Sequence, residues 1–228
     1  MSIAVRVGVA TIIVLAGAFT LASAGEPSTN LIPLKEGNTW QYEGHARWTT
    51  TTVAGADHTN HLHNAEVRWT ARVTKSISAK GVHAAVVSGF PLAFSMDDPE
   101  HQPGYAVVVE TKKGLFVQAV ESERAGEVVA VQSLSSQNQD DQILRLPIRV
   151  GDCIGDEPKA PAQEYCWLVR QRVKEPQGPG WDIQFYTMPD EQDFYLVPSV
   201  GITRYSYRHH GTIIEANVRL SAFQTESQ

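Results

Sequence analysis

From Trp40 onward, hydrophobic and polar residues alternate along the chain with a period of two. Trp40, Tyr42, Gly44, Ala46 and Trp48 share one face of this pattern, and Gln41, Glu43, His45 and Arg47 share the other. Ala65, Val67, Trp69, Ala71 and Val73 repeat it against Glu66, Arg68, Thr70 and Arg72. Successive side chains of a strand point to opposite faces, so this alternation predicts antiparallel strands with one buried and one wet face. Residues 82–90, 105–110, 115–120 and 127–134 continue the series. Tyr165, Trp167, Val169 and Val173 mark a further strand, and Trp181, Ile183 and Phe185 another. No amphipathic helix is predicted here, and residues 132–143, rich in Ser, Gln, Asn and Asp, read as a loop with at most one helical turn.

The turns predict register. His210-Gly211 reads as a two-residue hairpin turn, which sets Tyr207 opposite Ile214, Tyr205 opposite Ala216 and Thr203 opposite Val218. Lys112-Lys113-Gly114 reads as a three-residue loop, which sets Val109 opposite Val117 and Val107 opposite Ala119. The stretch PQGPG at 176–180 reads as another turn. Two segments echo each other, PLKEGN from Pro33 and PIRVGD from Pro147, and both read as lead-in turns to a strand. The fold class that follows is all-β: a single antiparallel sheet curved into an open half-barrel or a compact barrel or sandwich, with residues 25–228 as one domain.

Residues 1–24 stand outside the pattern. Arg6 precedes an apolar run from Val7 to Leu21, and Ala22-Ser23-Ala24 supplies a small-x-small cleavage site. That order predicts a signal helix that is cleaved after Ala24. No Cys follows the site, so the protein is expected to be exported to a periplasm or beyond, and not to be a lipoprotein. No second apolar run of spanning length follows. The 228 residues carry a formal charge of −6, which becomes −7 once Arg6 is lost with the leader, and an acidic chain has no electrostatic reason to bind nucleic acid. In an oxidising compartment Cys153 and Cys166, the only two cysteines, are expected to form a disulfide.

The segments LIPLKEGNTWQYEG, LRLPIRVGD and YLVPSVGITRYSYRHHGTIIEANVRL resemble those of the TapB-like family of bacterial exported proteins. The resemblance implies export and a curved sheet akin to the half-barrels of the periplasmic lipoprotein carriers LolA and LolB. It brings no catalytic residues, and this chain lacks the lipidation Cys of many such proteins.

Candidate chemistry is sparse. Asp57, His58, His61 and His63 are expected in the loop between the first two strands, where His58, His61 and His63 could ligate Zn or Cu. Asp97, Asp98, Glu100 and His101 crowd one expected loop, and Asp190, Glu191 and Asp193 another. Either group could hold Ca²⁺ or supply paired carboxylates for hydrolysis. His209 is expected as a cross-strand surface residue. No nucleophile elbow, zinc-protease helix, P-loop or dinucleotide fingerprint is present, and no cofactor is expected. Trp40, Tyr42, Trp48, Trp69, Trp167, Trp181, Phe185, Tyr205 and Tyr207 all fall on apolar faces. They read either as core or as a concave aromatic surface for a lipid or other apolar ligand. The expected function is therefore an exported, non-catalytic binding or structural protein of the cell envelope. The alternatives are an exported hydrolase using loop carboxylates or histidines, and a periplasmic metal-binding protein.

Overall fold

The computed structural model describes residues 30–54, 57–94, 102–155, 165–209 and 214–226. The leader therefore lies outside the described residues. The strands are β1 (Thr39–Ala54), β2 (Asp57–Ala79), β3 (Val82–Ser88), β4 (Tyr105–Thr111), β5 (Gly114–Val120) and β6 (Gln142–Arg145). They continue as β7 (Cys153–Gly155), β8 (Cys166–Glu175), β9 (Gly178–Tyr186), β10 (Asp190–Val197), β11 (Gly201–His209) and β12 (Ile214–Gln224). Among the described residues there is one α-helix, α1 (Glu123–Ser133), between β5 and β6. All twelve strands form one antiparallel sheet in the order β6-β5-β4-β3-β2-β1-β12-β11-β10-β9-β8-β7. The edge strands β6 and β7 come into contact without forming a ladder, which makes a nearly closed barrel.

The two echoing segments are structural equivalents, as predicted. Gly37 N–H donates to Val73 O (2.9 Å) and Val73 N–H to Asn38 O (3.0 Å), while Gly151 N–H donates to Val169 O (2.8 Å) and Val169 N–H to Asp152 O (2.9 Å). Gly37 and Gly151 take φ of 90° and 92°, a left-handed conformation that favours glycine. The likeness extends onward. β2 bulges against β3 between Val73 and Lys75, and β8 bulges against β9 between Val169 and Gln171. Val73 pairs with Val87 as Val169 pairs with Ile183, and Val86 pairs with Val107 as Asp182 pairs with Tyr195. β1–β6 and β7–β12 are thus two copies of one frame, joined in mid-sheet by the β1–β12 ladder. Gly44 lies in that joint, and any Cβ there would collide with the Asn217 carbonyl on β12.

The barrel interior is the core. Ala71, Val73, Val87, Val108, Leu115, Ile183, Phe194 and Ile202 fill it with Trp40, Tyr42 and Tyr205. Leu31, Ile32 and Leu34 plug it from the N-terminal side. The buried Glu110 carboxylate accepts the Leu31 N–H (3.0 Å) and the Ile32 N–H (3.4 Å), which anchors the plug. Burial raises the Glu110 pKa, and these two N–H groups work against the rise. The Cys153–Cys166 disulfide forms as expected, with Cα atoms 5.5 Å apart, and ties the short edge strand β7 to β8.

Three predictions need correction. Residues 127–134 are not a strand but belong largely to α1. Ser122 caps this helix by accepting the Ala125 N–H (3.3 Å). Val128, Val129 and Val131 suggest a strand, yet the buried positions are Gly126 and Ala130, one helical turn apart. They pack on a second apolar cluster of Ala84, Val86, Val107, Val109 and Phe116. That cluster explains the second correction. The β4–β5 loop is Lys112-Lys113 alone, and Val109 pairs with Phe116 and Val107 with Gln118, a slip of one residue. β4 is buried on both faces, so alternation cannot fix its register. Third, the turn at His210-Gly211 lies outside the described residues, but its flanks pair His209 with Ile214, Tyr207 with Ala216 and Tyr205 with Val218. The slip here is two residues, which preserves the faces and changes the partners.

Candidate functional site

From β2 to β8, on the side away from β3, the face opposite the core is polar and forms an open trough of about 1150 Å³. Cross-strand pairing generates its lining in two rows. One row runs Arg68, Glu43, Arg219, Arg204, Tyr195, Asp182 and Gln171. The other runs Glu66, His45, Asn217, Ser206 and Asp193. These are the wet positions of the period-two pattern, gathered onto one surface by the sheet's curvature.

The bulge in β8 shapes one end of the trough. Arg170 is its unpaired extra residue, so Arg170 and Gln171 both reach the trough wall. Asp182 is 3% exposed, and its Oδ2 accepts Gln171 Nε2 at 3.0 Å with Arg170 Nε at 3.7 Å. Its Oδ1 is buried without a hydrogen-bond partner among the described residues. Arg170 Nη1 also donates to Asp193 Oδ1 at 3.2 Å. Burial, with the Glu191 charge adding to it, pushes the Asp193 pKa up to about 6 against the pull of Arg170. The end therefore holds two carboxylates in unlike environments, an arrangement that suits hydrogen bonding or proton exchange with a polar molecule.

The aromatic face expected to carry a ligand is mostly closed. Trp40, Tyr42, Trp69 and Tyr205 are at most 4% exposed, and only Tyr205 of the nine borders the trough. The plug and the segment from Phe90 to Phe94 cover this face, a contribution that strand periodicity does not contain. Trp167, Trp181 and Tyr207 are half-buried against the same core, and Phe185 packs on Trp167 at 4.8 Å. Trp48 is half-buried and stacks on His63 at 5.2 Å.

The histidines and acidic residues also sit differently from expectation. Asp57, His58, His61 and His63 belong to β2 rather than to a loop, and His58 occupies a position of opposite parity to the other two. His61 is exposed, while His63 Nε2 lies 2.8 Å from Thr50 Oγ1. Among the described residues no group of three or more His, Cys, Asp or Glu is placed to hold a metal. Asp190, Glu191 and Asp193 lie on β10, not in a loop. Asp193 enters the trough; Asp190 accepts the Tyr207 hydroxyl at 2.7 Å and lies 2.8 Å from His209 Nδ1, so His209 is half-buried in a polar cluster rather than a plain surface residue. Asp97, Asp98, Glu100, His101 and His210 lie outside the described residues. Sequence reasoning missed Asp182, Arg204 and Arg219, because their wet-face positions read as ordinary solvent contacts. The available signal was register: correct pairing of β11 with β12 puts Arg204 directly opposite Arg219.

No family profile and no curated protein matches the chain. Among solved structures it is similar to a protein from Bacteroides fragilis described as exported and of YmcC-like fold. That protein is 13% identical with a TM-score of 0.37, over 84% of this chain and 97% of the other. It is also similar to a protein from Parabacteroides distasonis described as a lipoprotein, 11% identical with a TM-score of 0.34, over 86% of this chain and 99% of the other. Likenesses at this level carry no function to this chain.

Proposed function

We propose that this is an exported, non-catalytic binding protein whose trough holds a polar, hydrogen-bonding ligand. The single observation that carries the reading is the trough itself, about 1150 Å³ of open space on the polar face of the sheet. Its size suits a small-molecule site. The leader pattern of residues 1–24 supports export. A lipid is not the ligand proposed, because the aromatic side chains expected to hold one are occupied with core packing.

The test is native mass spectrometry of protein exported through its own leader and exposed to a cell-envelope extract. A non-covalent adduct is expected, lost on denaturation and absent in Ser206→Trp, which fills the trough floor. A bare native mass overturns the reading. Hydrolysis is the second reading, favoured by Asp193, with its pKa near 6, beside Asp182. The released adduct, incubated with fresh protein, separates the two. Recovery intact supports binding. Cleavage that disappears in Asp193→Asn transfers the trough to a hydrolase.

A further inference from the structure

Charge is not mixed evenly along the trough. Arg204 on β11 stands directly opposite Arg219 on β12, Arg219 opposite Glu43 on β1, and Glu43 opposite Arg68 on β2. Side chains directly opposed on one face of an antiparallel pair have Cβ atoms about 5 Å apart, and like charges so placed repel. A solvated ladder without a ligand has no reason to retain such a pair. Among the described residues Glu43 and Glu175 are the acids that the three arginines of this end pair with. Glu43 is shared, 3.5 Å from Arg68 Nη2 and 3.9 Å from Arg219 Nη2. Arg204 gives its Nε to Glu175 at 3.1 Å, and its guanidinium lies over the Tyr195 ring at 5.3 Å. The side chains of Arg68, Arg219 and Arg204 are 79%, 75% and 57% exposed, so their donors are open to a solute.

We infer that Arg68, Arg204 and Arg219 form an oxyanion subsite, which takes the carboxylate or phosphate group of the ligand held in the trough. A guanidinium fork matches the paired oxygens of either group, and a bound anion converts the Arg204–Arg219 repulsion into two attractions. The inference rests on the trough as a binding site and adds the chemical class of one end of its ligand. Asp193 and Asp182, one and two strands from Arg204 along the same surface, suit the hydroxyl or amide donors of the remainder.

The test follows the arginine Nε–H signals of the full chain by NMR at constant ionic strength, with inorganic phosphate and glucuronate titrated separately. Saturable shifts confined to Arg68, Arg204 and Arg219 are expected with at least one probe, and the probe that saturates first tells phosphate from carboxylate. Arg219→Gln is expected to weaken that binding about tenfold, the scale of one lost charge-assisted hydrogen bond. Arg172→Gln, which removes a guanidinium stacked 4.3 Å over Trp181 outside the trough, leaves it unchanged. No shift, or parallel non-saturating shifts of all arginines, overturns the assignment. Ser206→Trp separates the two levels. An envelope adduct lost in that variant, without any anion response, keeps the trough and removes the oxyanion subsite. Saturable anion binding by a protein that captures no envelope ligand keeps the arginines and removes the trough reading.

Discussion

The two halves of the sheet share a frame and differ in what lies on their outer face. In the first half Val86 and Val107 pair across β3 and β4 and are covered by α1. In the second half the equivalent pair is Asp182 and Tyr195, and both border the open trough. The β5–β6 connection carries the helix, whereas β11 and β12 are joined by four residues. The first half spends the outer face of β3–β5 on stability, while the second half, with β1 and β2, leaves its outer face to solvent and solutes. A buried acid whose oxygen lacks a partner among the described residues, where the sister position holds valine, is unfavourable for folding and marks this position as a functional one.

The largest expected effect attacks the joint on which both halves depend. Gly44→Val drives a side chain into the β12 backbone and is expected to cost about 4 kcal/mol or more, read as loss of the cooperative thermal transition. Removing the disulfide by Cys153→Ser with Cys166→Ser frees the edge of the second half alone. It is expected to cost about 3 kcal/mol in denaturant unfolding, because the bond closes a short loop of the unfolded chain. Gly126→Leu attacks only the first half. A Cβ at that position would lie 2.8 Å from Val86 Cγ1, so the helix must lift, at about 2 kcal/mol by the same measurement, with the adduct in the trough retained.

Asp193→Asn should act in the opposite direction. The folded-state pKa of about 6 lies above the ordinary 3.8, so the folded protein holds this proton more tightly than the unfolded chain. The contribution of Asp193 to stability is therefore fully present below about pH 4 and is lost as pH rises from about 4 to about 6. The asparagine variant is expected to be more stable above pH 6 by on the order of 1–2 kcal/mol, with the gain vanishing near pH 4 and partly offset by the lost Arg170 ion pair. Thermal melts across that range check it. A wild-type curve as flat as the variant's would remove the case for an unusual carboxyl in the trough. Arg68→Gln and Arg219→Gln are expected to shift stability by less than about 0.5 kcal/mol, as exposed charges do, while altering anion binding.

Legibility in the sequence follows the same division. Where one face is wet, as from Trp40 to Trp48 and from Ala65 to Val73, alternation locates the strand and sorts its faces correctly. Where both faces are covered it fails, and residues 105–109 illustrate this with Ala106 to Val109 all buried and the β4–β5 register misjudged by one. The helix was hidden by its valines, whose strand preference is overruled by packing of Gly126 and Ala130 on β3. The lead-in turns were legible because their glycines answer a backbone demand rather than a packing one. The trough was not, because its two rows exist only once seven strands are paired in register, and no local pattern encodes pairing between strands distant in sequence.

The β1–β12 joint also brings the two ends of the folded region side by side. Glu226 N–H donates to Asn38 Oδ1 at 2.8 Å, and Lys35 Nζ to Glu226 O at 3.0 Å. The link from β6 to β7, residues 146–152, runs between the two edges of the sheet. A circular permutant, spliced at the joined ends and opened in that link, would run from β7 through β12 to β1 and on to β6. Its strands would then follow one another in space in the order of synthesis, as an uninterrupted meander. In the natural chain the β6–β7 link instead carries the backbone from one edge of the sheet to the other, so the chain order and the spatial order part at the one seam that no ladder closes.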